Sequence, residues 1–252
     1  MNLSDILQLL SQTAKDVGAS APYICGGTPR DKVMGRPLVV EDIDITTGDQ
    51  SVKTLAKEMA KRTAGPKTVF TEMNDGHSQL IVDNIKLDFS TNYIEPGIKN
   101  MLVKAGLKNP TPMKFELYSR DFTCNALLMT IDLKKIIDPL GLGLKDIKAK
   151  VLRTCLPAKI TLGSDHRRVV RVIYLAAKLG FKVDDEIISW VRKNPVSITA
   201  HDSREYVTKK INKSLDFNPK LTVQLIDDMG LWPYVPPSDR LIPYMAQDVR
   251  SL

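Results

Sequence analysis

Residues Ile24–Thr47 read ICGGTPRDKVMGRPLVVEDIDITT. An apolar run leads into Gly26-Gly27, Arg30-Asp31 follow, and the stretch closes on Asp42-Ile43-Asp44-Ile45. Side chains alternate along a β-strand, so Asp42 and Asp44 share one face about 6.6 Å apart, while Ile43 and Ile45 point to a core. Two carboxylates on one strand face repel each other in a way that folding does not require. A divalent cation relieves that repulsion, and Mg²⁺ takes its oxygens from one or two carboxylates plus substrate phosphates. Just upstream, the glycine pair lets backbone come close to a ligand. Pro29 suits the first position of a helix, whose free N–H groups would face an anion such as a triphosphate. Taken singly, a Gly-Gly turn or a D-x-D strand also suits ordinary surface chemistry. Their joint spacing favours a site for nucleotidyl transfer.

Downstream, Asp83-Asn84 signals a tight turn between strands at Gln79–Val82 and Ile85–Phe89. In the second of these Ile85, Leu87 and Phe89 share one face, and Lys86 and Asp88 share the other. Paired beside the Asp42 strand, Asp88 becomes a third carboxylate of the same cleft; unpaired, it is an exposed aspartate on an amphipathic strand. Thr68–Phe70 also suits a strand, and Leu55–Arg62 a helix. Upstream, residues 4–17 carry apolar side chains at helical spacing, with Ser4 placed to cap the start and Gly18 to end it. Residues 92–118, broken by Pro96-Gly97 and Asn109-Pro110-Thr111-Pro112, read as a loosely ordered border to the cleft. Ser119–Leu127 reads as a turn opening into a helix or strand, and Asp138–Gly143 as a turn.

From about Val151 the character becomes helical. Asp165–Gly180 has a continuous apolar face, with Arg167, Arg168 and Arg171 near its start, where the helix dipole disfavours cations. Those arginines need an acidic partner, which Asp165 or a nucleotide could supply; a solvated basic face capped by a carboxylate fits the same pattern. Asp185–Arg192, Ser203–Ser214 and Pro219–Met229 read as further helices.

The 252 residues suffice for one large or two small domains with a real core. A net charge of +7 favours a polyanionic partner without requiring one. Cys25, Cys124 and Cys155 are too few and too scattered for a disulfide framework or a zinc pattern, which points to a reducing cytoplasm. Acidic Asp5 and polar neighbours interrupt the N-terminal apolar residues, so no signal peptide is expected. No run reaches the roughly 18 apolar residues of a membrane span.

Five motifs then stand in one order: G-G-T-P-R-D, D-I-D-I, R-D-F-T-C-N-A-L, D-P-L-G-L-G-L-K-D and S-D-H-R-R-V-V-R-V-I-Y-L-A-A-K-L-G-F. From about Ala21 to Val235 the chain resembles class II CCA-adding tRNA nucleotidyltransferases and bacterial poly(A) polymerases, of the polymerase β-like superfamily. The resemblance implies an α+β fold: a nucleotidyltransferase head over 1–150 with a small mixed sheet, then an all-helical neck and truncated body over 151–252. It implies Asp42 and Asp44 as Mg²⁺ ligands, with Asp88 matching a third acidic position. Gly26, Gly27, Arg30 and Asp31 would hold the incoming triphosphate, and Arg120, Asp121 and Asn125 would contact ribose and phosphates. Asp165 and Arg168 match the pair that reads the base edge of CTP or ATP, with Arg171 beside them. A carboxylate accepts from the exocyclic amino group that cytosine and adenine share, and an arginine donates to ring nitrogen or carbonyl.

The implied partners are the tRNA 3′ acceptor end, CTP and ATP, with no membrane. Ser164 stands where an acidic residue usually precedes Asp165, Ser119 where a second arginine is typical, and Asn92 where an arginine follows the Asp88 strand. The chain ends soon after the body begins, so the family's distal tail is expected to be missing. Full CCA addition, a poly(A) or partial A- or CC-adding activity, and an inactive nucleotide- or RNA-binding homologue all remain open at this level.

Overall fold

The computed structural model describes residues 1–37, 42–73, 77–90, 100, 102–107, 111–199 and 204–244. They form two compact units, Met1–Ile147 and Lys148–Leu252.

The first unit opens with helix α1 (Leu3–Asp16), which buries Ile6, Leu7, Leu10, Thr13 and Ala14. Asn2, not Ser4, is its cap. Asn2 accepts from the Asp5 amide at 3.0 Å, and Asp5 accepts from the Asn2 amide at 3.2 Å. This reciprocal pair satisfies two free donors at once, so the helix starts before Ser4. Strand β1 (Tyr23–Cys25), helix α2 (Gly27–Val33), strand β2 (Asp42–Thr46) and helix α3 (Ser51–Arg62) follow. Next come strands β3 (Thr68–Glu72), β4 (Ser78–Val82) and β5 (Ile85–Phe89), then helix α4 (Pro112–Tyr118). A 3₁₀ turn (Thr123–Asn125), strands β6 (Leu128–Thr130) and β7 (Ile136–Ile137), and helix α5 (Gly143–Ala149) complete the run.

These strands make one mixed sheet of order β3-β4-β5-β2-β1-β6-β7, in which β2 and β5 are parallel and the other pairings antiparallel. Asp83 and Asn84 turn β4 into β5 with φ of 48° and 71°, a conformation that Asn and Asp tolerate better than most residues. Ile43, Ile45, Leu80, Val82, Leu87 and Phe89 pack with α1 and α3 into one buried cluster. Alternation then sends Asp42, Asp44 and Asp88 to the opposite face.

Part of the 92–118 stretch, including Asn92, lies outside the described residues. Within it, α4 replaces the expected irregular run. Thr111 accepts from the Lys114 amide at 3.3 Å, and Pro112 takes the first helical turn, where its missing N–H costs nothing. Pro112, read as a breaker, therefore acts as a helix start.

The second unit is helical apart from one short parallel pair, β8 (Val151–Leu152) with β9 (Lys182–Val183). Its helices are α6 (Ala158–Ser164), α7 (Arg167–Leu179), α8 (Asp185–Lys193), α9 (Arg204–Phe217) and α10 (Pro219–Asp228). α9 and α10 both pack on α7, the most amphipathic of them. Asp165 is extended, with φ −147° and ψ 102°, so α7 begins two residues later than its apolar pattern suggests. Among the described residues, no helix is long and apolar enough to cross a membrane.

Candidate active site

The site begins where β1 runs out. Cys25 lies opposite Asp44 in the antiparallel β1–β2 ladder, and the chain then turns through Gly26 at φ 71°. A Cβ on Gly26 would stand 2.1 Å from Asp44 Oδ2, so any other residue would collide with that carboxylate. Gly26 is also the N-cap of α2, which places Pro29 at the third helical position and not the first. The backbone of this turn is thus held directly against Asp44.

The parallel pairing of β2 with β5 sets Asp44 opposite Asp88 and Asp42 opposite Lys86. Three carboxylates therefore crowd one face of two adjacent strands. Burial pushes the Asp44 carboxyl above its ordinary value; Arg120 pulls it down, and the charges of Asp88 and Asp42 push it up again. Lys86 Nζ lies 2.8 Å from Asp42 Oδ1 and 2.9 Å from Asp88 Oδ2. Gln79, opposite Asp88 on β4, donates to Asp88 Oδ1 at 3.0 Å.

Behind Asp44 sits a buried cation. Arg120 donates to Glu116 Oε1 at 2.8 Å and to Cys25 Sγ at 2.9 Å. Glu116 is fully buried one helical turn earlier, on α4. Burial opposes the Arg120 charge, yet Cys25, Glu116 and Asp44 outweigh it and raise the guanidinium pKa. Burial likewise pushes the Cys25 thiol well up. Ser119 is buried too, its hydroxyl donating to the Glu116 carbonyl at 2.6 Å.

The other residues of the G-G-T-P-R-D and R-D-F-T-C-N motifs form a second network. Arg30 donates to Asp31 through two nitrogens, at 3.0 and 2.9 Å, and to Asn125 Oδ1 at 2.6 Å. Asn125 Nδ2 donates to Asp121 Oδ1 at 3.0 Å, and that oxygen also accepts from the Phe122 amide at 2.8 Å. Arg30, Asp121 and Asn125 are all buried. A Cβ on Gly27 would come 3.1 Å from Arg30 Nη2, so this glycine lets the guanidinium pack under the turn.

In the second unit, Asp165 accepts from the Arg167 amide and from Arg167 Nε, each at 3.0 Å, and lies 3.8 Å from Arg168 Nε. Arg168 is buried and donates to the Thr161 carbonyl at 3.2 Å. Arg171 joins Lys178, Lys209 and Lys213 around Lys210; burial and these cations together lower the Lys210 pKa. Lys210 lies over the rings of Tyr174 at 4.8 Å and Tyr206 at 5.6 Å.

Reading the sequence missed Lys86, Gln79, Glu116 and Cys25 as parts of the site. Lys86 shares a strand face with Asp88, which is visible in sequence. Its meeting with Asp42 depends on the parallel register, for which no local signal exists.

The poly(A) polymerase head-domain family matches residues 22–153, more than half of the chain. The chain belongs to this family. Among its relatives is a CCA-adding enzyme from a Geobacillus species, 28% identical over 227 residues, covering 89% of this chain and 53% of that enzyme. Another is the A-adding tRNA nucleotidyltransferase of Aquifex aeolicus, 33% identical over 168 residues, covering 64% of this chain and 19% of that protein. The chain thus spans about half or less of the length of these relatives. Among solved structures, the Bacillus stearothermophilus CCA-adding enzyme in complex with CTP superposes with a TM-score of 0.71 at 24% identity, over 94% of this chain and 54% of that one. The Thermotoga maritima CCA-adding enzyme complexed with tRNA gives 0.69 at 21%, over 97% and 58%. These likenesses establish the α+β fold of the family, with its mixed sheet.

Polymerase β-like nucleotidyltransferases use a divalent metal. The residues present fit one. Asp42 and Asp44 offer only hard oxygens, their face carries crowded negative charge, and a lysine ammonium already rests between two of its carboxylates. Among the described residues, no three or more His, Cys, Asp or Glu side chains form a ready protein cage. Mg²⁺ keeps water and substrate phosphates in its shell, so one or two carboxylates are enough to hold it.

Proposed function

We propose that this protein is a template-independent RNA nucleotidyltransferase that adds or repairs the 3′-terminal CCA of tRNA from CTP and ATP. The observation that carries the reading is the convergence of Asp42, Asp44 and Asp88 on one strand face, with the Gly26 turn held against Asp44. The 3′-hydroxyl oxygen of the RNA gives up its proton to solvent water and bonds to the α-phosphorus, the bond from that phosphorus to the bridging oxygen breaks, and pyrophosphate leaves with the electron pair. Asp42 and Asp44 would hold Mg²⁺, with Asp88 beside them. When bound, Mg²⁺ lowers the hydroxyl pKa and neutralises charge on the phosphates.

Everything else asked of the protein is placement and charge, since phosphoryl transfer needs no nucleophilic side chain. The bare Gly26-Gly27 backbone packs directly against Asp44 and Arg30, which brings the turn up to the carboxylate face. The Arg30–Asp31–Asn125–Asp121 network braces that turn from beneath. Arg120 offsets the Asp44 charge from the buried side. Asp165 and Arg168 read the base edge, and Arg171 supports them.

The second unit suits an RNA partner. Residues 148–252 hold 18 Lys and Arg against 11 Asp and Glu, whereas residues 1–147 hold 18 against 18. The whole excess of +7 therefore lies in the helical unit. Three buried cysteines that form no disulfide suit a reducing cytoplasm.

The test uses tRNA transcripts ending before CCA, after C and after CC, each incubated with Mg²⁺ and one labelled nucleoside triphosphate. Addition of C, C and A, then arrest, is the expected result. The Aquifex relative is an A-adding enzyme. Addition of A to the CC-ended transcript alone would move the assignment to that partial activity, and long A-tails to a poly(A) polymerase. Mg²⁺-dependent nucleotide binding without pyrophosphate release would leave only a binding role.

A further inference from the structure

Among the described residues, Lys86 is the one cation set within the carboxylate face itself. Its Nζ reaches Asp42 Oδ1 at 2.8 Å and Asp88 Oδ2 at 2.9 Å, so it bridges two strands and two acids at once. Strand pairing does not require this bridge, because Ile43, Ile45, Leu87 and Phe89 already fix the β2–β5 register from the buried face. Asp88 is held on its other oxygen by Gln79, so it stays in place whichever way Lys86 moves. Asp42 is different. Its side chain is 59% exposed, against 30% for Lys86 and for Asp88, and Lys86 is the cation set against it. A divalent ion cannot take the Oδ1 position on Asp42 while the ammonium occupies it.

We infer that Lys86 is a resident counter-cation: it holds Asp42 when no divalent ion is bound and yields Asp42 to the ion, staying on Asp88. The inference rests on the reading of Asp42 and Asp44 as metal ligands and adds to it a residue that sets metal affinity. The lysine stabilises the empty carboxylate face and competes with the metal, so its removal has opposite effects on the two states.

The experiment is a Mn²⁺ titration followed by electron paramagnetic resonance on the full chain without nucleotide, with melting measured in chelator and in saturating Mg²⁺. Two partly exposed ion pairs are modest, so Lys86→Met and Lys86→Gln should each bind Mn²⁺ roughly three- to tenfold more tightly than wild type. Both should melt lower than wild type in chelator, and the gap should close in Mg²⁺. Lys86→Arg, which keeps the charge, should follow wild type in both assays. Adding Asp42→Asn should abolish the difference between Lys86→Met and wild type. Unchanged or weaker Mn²⁺ binding by folded Lys86→Met and Lys86→Gln would overturn the role of Lys86 alone. A wild-type protein whose Mn²⁺ binding is indifferent to Asp44→Asn would overturn the metal site itself, and this inference with it.

Discussion

Two surfaces of this protein gather like charge, and they do so differently. On β2 and β5, three carboxylates crowd together, and burial with its acidic neighbours raises the Asp44 pKa. On α7 and α9, Arg171, Lys178, Lys209 and Lys213 surround Lys210, and burial with those cations lowers its pKa. Neither crowding helps folding. The acidic face is small, partly buried and backed by one fixed counter-charge, Arg120, as a site for a compact cation requires. The basic face is spread over two helices with aromatic rings between its charges, as a surface for an extended polyanion requires. Repulsion kept at a chosen place is a mark of function, and its geometry tells which ligand relieves it.

The largest test of the contrast is Asp44→Asn. Loss of one ligand should lower the nucleotide-addition rate by on the order of a thousandfold or more. In chelator the same variant should melt higher than wild type, because it removes the charge that the fold resists. The sign follows from the raised pKa. Ionised Asp44 opposes folding at neutral pH, and that opposition fades as pH falls through its folded pKa towards the ordinary value of 3.8. The melting difference between the two proteins should therefore be full at neutral pH and vanish in acid. Equal melting at pH 7 would show that Arg120 already neutralises the site.

Glu116→Ala comes next. It leaves Arg120 buried without its carboxylate, and unfolding by denaturant should show a loss of about 3–5 kcal/mol. A loss below 1 kcal/mol would mean that Cys25 and Asp44 suffice to hold the guanidinium.

On the basic face the effects are smaller and depend on salt. Lys213→Ala should weaken RNA binding a few-fold and reduce the slope of log affinity against log salt by about one. Melting should not change. A variant whose affinity falls without a change of slope would contact something other than phosphate.

Much of the head was legible because its signals are local. The alternation in Asp42–Ile45 and Ile85–Phe89, the Asp83-Asn84 turn and the amphipathic α1 and α3 each depend on neighbours within a few residues. Helix α4 was not legible, since Pro112 stops one structure and starts another, and only the Thr111 cap decides between them. The start of α7 was misjudged for a similar reason: its apolar face continues past the extended backbone at Asp165.

The sequence by itself determined which residues could carry charge, which strand faces are apolar, and the order of motifs that marks the family. Only the tertiary structure decided which charges meet. Lys86 and Asp42 lie 44 positions apart and touch because β2 and β5 run parallel. Arg120 reaches Cys25 across 95 positions, in the interior beneath Asp44. Coulomb energy depends on separation in space and on the surrounding dielectric, and both are set when the chain folds.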